Sequence, residues 1–128
     1  MLDLDLSGFT GTTTYYRWSV LFPRVVLTDG TKYLAETAGA YWLFDAIASY
    51  GPRLVKHQDQ RLHEMQFWTL KVDREKHSAT LSCVADSGEK PVVLQRIPYT
   101  DFPLDEIKLY CTPGSEDEPT VILLPSEY

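Results

Sequence analysis

The three histidines are the residues of this 128-residue chain best suited to hold a metal, and their spacing argues against it. His57 and His63 stand six apart, which fits neither the i,i+4 pair of a helical zinc site nor the i,i+2 pair of a strand. His77 falls in the polar run at 73–78. The expectation is no metal and no cofactor. A serine or cysteine nucleophile needs a base, an orienting group and an exposed elbow such as G-x-S-x-G. Ser7-Gly8 and Ser87-Gly88 are turn dipeptides instead. GAYW at 39–42 lacks the G-x-G-x-x-G of a phosphate-cradling loop. Asp105 and Glu106 are paired carboxylates, but neighbours in a strand point to opposite faces. No catalytic residue is assigned, and the chain reads as non-enzymatic.

Two features suit binding. The first is aromatic density: three Trp, eight Tyr and five Phe. Most belong in a core, and a surplus could line a concave pocket. The candidate pocket is Arg17, Tyr41, Trp42 and Asp45, with Arg17 as anchor for an anionic ligand. Tyr41 and Asp45 lie four apart and share one helix edge. The second feature is charge. Residues 1–98 carry 11 acidic and 11 basic side chains, whereas 99–128 carry 7 acidic residues against Lys108 alone. The whole net charge of −6 therefore comes from the final quarter. Asp101, Asp105, Glu106, Glu116, Asp117 and Glu118 form a candidate acidic docking face for a protein with a basic surface. The bland account of those charges is solubility. A basic nucleic-acid footprint is lacking, so no direct nucleic-acid partner is expected.

The element that must position these residues is the segment TAGAYWLFDAIASY at 37–50, apolar on nearly every side. Ala40, Leu43, Phe44 and Ile47 follow the i, i+3, i+4, i+7 stripe of a helix. Thr37 suits its N-cap, Gly51 a left-handed C-terminal residue, and Pro52 a stop. Such a helix is too short to span a bilayer, which takes roughly 20 apolar residues, and must be covered by the rest of the chain. That rest is mostly strand-like. Residues 15–22 are aromatic and β-branched. Asp29-Gly30, between 25–28 and 31–34, is a strong hairpin signal. Residues 51–63 are polar, a weak helix or exposed loop. Strands follow at 64–72, 79–85, 91–97, 104–111 and 121–124, separated by polar turns or prolines. The fold expected is α+β: an antiparallel, curled β-sheet packed around one central apolar helix, as a single domain over 1–128. The N-terminal residues 1–6 alternate Asp and Leu and do not resemble a signal peptide. Cys83 and Cys111 sit inside strand-like runs, which suits buried thiols in a reducing, cytoplasmic setting. A disulfide would require those strands to be neighbours.

Several segments together carry a family resemblance: FTGT at 9–12, LTDGTKYLAE at 27–36, GAYWLFDAIA at 39–48, QFWTLKV at 66–72, TDFPLDEIKLY at 100–110 and ILLPSEY at 122–128. The chain resembles a set of small bacterial, phage and plasmid-borne proteins, domain-of-unknown-function family 6876. The departures fall in 51–63 and in TPGSEDEP at 112–119. The resemblance offers no catalytic residues. It implies a small soluble prokaryotic protein that often travels with mobile elements, and the leading reading is a non-catalytic binding protein, a mobile-element accessory or an inhibitor of a host (defence) process. The alternative is a small-molecule or nucleotide-binding pocket, with enzymatic activity open on that reading. A homo-oligomer is compatible with either.

Overall fold

Alternating bulk in the second half of the chain produces the main body of the sheet. In the computed structural model, which describes residues 6–12, 14–115 and 117–128, five strands follow the polar stretch. They are β3 (Gln66–Asp73), β4 (Ser78–Val84), β5 (Val93–Ile97), β6 (Glu106–Thr112) and β7 (Thr120–Leu123). Gln66, Trp68 and Leu70 point inward from β3 and are buried, as do Ala79, Leu81 and Cys83 from β4 and Ile107, Leu109 and Cys111 from β6. On the opposite face Phe67, Thr69 and Tyr110 are half-buried. There Phe67 and Tyr110 meet edge to face at 5.1 Å, and Tyr128 packs on Tyr110 at 5.9 Å.

The first half departs from the expected hairpin. Residues 15–22 are not one strand: β1 (Tyr16–Ser19) turns at the exposed Val20 and Leu21 into β2 (Phe22–Leu27). Asp29-Gly30 is not a turn. It opens helix α1 (Asp29–Thr37). Thr28 decides the outcome: its hydroxyl takes the N-cap position, and Thr31 bonds back to the Thr28 backbone N–H at 2.9 Å. Asp29 in the first turn adds a favourable charge.

Helix α2 (Tyr41–Tyr50) is the expected apolar helix, with Leu43, Phe44 and Ile47 fully buried. It starts later than expected, because Thr37 closes α1 and Gly39, at φ +61°, separates the two helices. Ala40 caps α2 without any side-chain bond. Gly51 is right-handed at φ −51°, so the chain continues through Pro52 into a 3-10 turn, Pro52–Lys56. A proline opening a helical turn forfeits no hydrogen bond. A second 3-10 turn, Gln60–His63, buries Leu62 completely. The polar stretch is thus built into the fold.

The seven strands form one open sheet in the order β1-β2-β7-β6-β3-β4-β5. Every pairing is antiparallel except β2 with β7, which is parallel over Val25↔Thr120 to Leu27↔Ile122. The sheet is therefore mixed, and two helices share the task expected of one. Both pack on the inner face, Leu34 and Ala35 of α1 and Leu43, Phe44 and Ile47 of α2 joining one core cluster.

Two substitutions probe this packing. Leu43→Ala should lower unfolding free energy by about 2–5 kcal/mol, the range for emptying a buried leucine site. At Gly30 the reason for glycine is proximity: a Cβ there would stand 2.6 Å from Leu124 Cδ1 and 2.7 Å from Glu127 Oε1. Gly30→Ala should therefore cost about 1–3 kcal/mol despite the higher helix propensity of alanine. Urea unfolding measures both; a neutral Gly30→Ala would place the C-terminal turn farther from α1 than it stands here.

Candidate functional site: an aromatic cleft beside Arg17

Alternation along β1 sends Tyr16 and Trp18 toward the helices and leaves Arg17 exposed between them. The Trp18 ring stacks on Tyr41 of α2 at 5.8 Å and 17° and tilts against Phe44 at 5.7 Å. Its indole N–H donates to Asp45 Oδ1 at 2.9 Å. On the other side, Lys32 of α1 lies 4.9 Å over the Tyr16 ring and pairs with Glu36 at 2.6 Å. The Glu36 hydrogen bond raises the Lys32 pKa above its ordinary value. Together Tyr16, Arg17, Trp18, Lys32, Glu36 and Tyr41 line an open cleft of about 350 Å³. That is within the size range of small-ligand sites. Arg17 is exposed and makes no ion pair or hydrogen bond among the described residues.

The four pocket residues read from the sequence are divided by α2. Arg17 and Tyr41 line this cleft, whereas Trp42 and Asp45 line a separate groove between α2 and β5. Asp45 nonetheless touches the cleft through Trp18.

The acidic residues are divided as well. Asp101 and Asp105 precede β6, Glu106 opens it, and Asp117 and Glu118 follow its end. Seven strand residues separate the groups by roughly 20 Å. Glu116 lies outside the described residues. Near the first group, His77 Nδ1 is 3.3 Å from Asp101, Arg74 is 4.0 Å from Asp105, and Lys108 is 3.9 Å from Glu106. Asp117 and Glu118 belong to a loop held by the Arg24 guanidinium, which donates to the backbone carbonyls of Ser115 and Glu118.

One cluster went unread in the sequence. His77, at φ +54°, stacks on Tyr99 at 5.8 Å, and the Tyr99 hydroxyl donates to both Asp101 oxygens at 3.1 and 3.3 Å. The neighbouring Asp101 carboxylate raises the Tyr99 pKa. The β4–β5 register, Ala79 opposite Ile97, is what carries His77 to Tyr99. Only a correct turn length ahead of β4 could have predicted it. All three side chains are exposed.

Among the described residues no group of three or more His, Cys, Asp or Glu is arranged to hold a metal. No helix among them is long and apolar enough to cross a membrane. Cys83 and Cys111 are free thiols on β4 and β6, with β3 between them. Two strand spacings, about 10 Å, exceed disulfide reach.

An open-faced α+β sheet with two helices on one side and an aromatic notch at its β1 edge is the architecture of this chain. It belongs to the family described as "Family of unknown function (DUF6876)", which matches residues 1–128. Comparison with curated proteins and with solved structures finds no match.

Burial pushes the Cys83 thiol up to about 12 and raises Cys111 as well. Both folded pKa values exceed the unfolded one, near 9, so the thiols favour the fold fully below pH 9. That contribution is lost as pH rises toward 12. Between pH 8.5 and 10 the urea midpoint should fall, each thiol contributing up to about 1.4 kcal/mol per pH unit. Cys83→Ala should flatten the slope, and neither native thiol should react with Ellman's reagent at pH 8.

Proposed function

We propose that this protein is a non-catalytic binding protein and that recognition runs through the cleft beside Arg17. The ligand class is an anionic group, a carboxylate or phosphate, carried on a flat or apolar body. The observation that supports this is an open cleft walled by Tyr16, Trp18 and Tyr41, with the exposed Arg17 among its lining residues. Arg supplies a planar fork for a carboxylate or phosphate, and aromatic rings supply contact area at low entropic cost.

A second reading has its own observation. The loop carrying Asp117 and Glu118 is pinned. Besides Arg24, Thr120 Oγ1 donates to Pro113 O at 2.6 Å, and Ser115 and Glu118 exchange backbone bonds at 3.2 and 3.3 Å. An acidic loop fastened at Ser115 and Glu118 suits a basic protein surface. On that reading the protein is an inhibitor of a host process, carried by a mobile element.

The two are separable once a partner has been captured from lysate and identified. On the cleft reading, Arg17→Ala weakens binding roughly 10- to 100-fold, as for loss of a hydrogen bond to a charged group. Asp117→Asn with Glu118→Gln then leaves affinity unchanged. The acidic-loop reading predicts the reverse, with association slowing as salt rises. Wild-type affinity in Arg17→Ala would remove the cleft from the mechanism.

A further inference from the structure

The sheet ends on β5, and no further strand pairs with its outer edge among the described residues. In an antiparallel edge strand every second residue directs its N–H and C=O away from the sheet. Proteins blunt such edges with lysines, bulges or short strands. The other edge follows that rule: β1 has four residues and a break in register between Arg17 and Ser19. β5 does not. Its register with β4 runs unbroken from Ala79↔Ile97 to Cys83↔Val93, and VLQRI contains neither lysine nor proline.

Above this edge lies the groove of about 490 Å³ lined by Trp42, Asp45, Ser49, Tyr50, Arg53 and Gln95. The Tyr50 hydroxyl donates to Gln95 Oε1 at 3.1 Å and fixes the helix over the strand. Asp45 and Arg53 bring opposite charges to the same groove, and Arg53 makes no ion pair or hydrogen bond among the described residues.

We propose that a second copy of this chain docks here, β5 against β5 in antiparallel pairing about a twofold axis at Gln95. Twofold symmetry sets each residue i of one copy against j of the other, and j against i. Leu94, which is 68 % exposed, then faces Arg96 of the other copy, Val93 faces Ile97, and no like charges meet. The two α2 helices lie side by side in opposite directions. Asp45 of each copy then stands against Arg53 of the other, so the groove is complementary to itself in charge.

Light scattering coupled to size exclusion tests this on the full chain and should give twice the chain mass. Asp45→Lys and Arg53→Asp should each give a monomer, since each homodimer would oppose like charges twice. An equimolar mixture of the two should regain the dimer, because both contacts are attractive in the mixed pair. Circular dichroism checks that each variant is folded. Ser49→Arg, which blocks the groove without altering Asp45 and its bond to Trp18, should also be monomeric. A wild-type chain that stays monomeric at its highest soluble concentration overturns the proposal. So does a mixture no heavier than its folded components, or a Ser49→Arg chain that still dimerises.

Discussion

One carboxylate fastens the start of α1 to the last turn of the chain. Glu127 is 9 % exposed, and its Oε1 accepts from the Thr28 hydroxyl at 2.6 Å and the Leu124 N–H at 3.0 Å. Oε2 accepts from the Gly30 N–H at 2.9 Å. The first turn of a helix has N–H groups with no partner in the helix, and its dipole favours a negative charge there. Glu127 meets both needs from the opposite end of the sequence. Gly30 must lack a Cβ for the carboxylate to come so close. Thr31 adds a second fastening through its hydroxyl to Ile122 O at 2.8 Å. These bonds hold α1 over the parallel seam of β2 and β7. That seam is what joins the β1–β2 hairpin to the remaining strands. The aromatic cleft, built from β1, α1 and α2, depends on the same seam for its shape.

A second buried polar group positions the stretch after α2. Gln66 is fully buried, and its amide donates to Gly51 O at 2.8 Å and Leu62 O at 3.1 Å while accepting from the Trp68 indole at 3.2 Å. All its partners are satisfied, so it specifies geometry at little cost. Outside, Arg61 forks to Asp59 and to both oxygens of Glu89 at 2.6 and 2.7 Å, linking the 3-10 turn to the β4–β5 connection. The Arg61 bond holds the Asp59 carboxyl down at about 2. Because these groups are exposed, the fork orients the turn more than it stabilises it.

The parts of the fold legible in the sequence were those fixed by local pattern. Strand-like runs bounded by polar turns or prolines marked β3, β4 and β6, and the 3.6-residue stripe marked Leu43, Phe44 and Ile47. The first half was misread because two local signals competed at 28–30. Asp29-Gly30 suits a hairpin, but Thr28 with Thr31 makes a capping box, and Glu127 from 97 residues beyond Gly30 settles the matter in favour of the helix. No local window contains that bond. The parallel pairing of β7 was hidden for the same reason. At the candidate site, sequence supplied Arg17 and Tyr41 but not their neighbours. Tyr16 and Trp18 reach the helices only once β1 has its true limits, and Lys32 only once 29–37 is a helix. The acidic residues were adjacent along the chain yet are parted by the length of β6.

Preorganisation is what distinguishes the aromatic notch from ordinary exposed apolar surface. Trp18 is held on three sides, by the Tyr41 stack, the Phe44 edge and the bond to Asp45, so a ligand entering the cleft would meet a wall already in place. Ordering a side chain on binding costs about 0.5–1.5 kcal/mol, and here that cost has been met during folding. The same bond has a further effect. Asp45 holds the cleft wall with one oxygen and belongs to the α2–β5 groove on its other side. A ligand that drew this carboxylate into the groove would release the Trp18 indole, and one that held Trp18 would hold the carboxylate. Coupling between two sites is reciprocal in free energy. Asp45, bonded to Trp18 on one side of α2 and lining the groove on the other, is the residue through which the two proposed sites would be coupled.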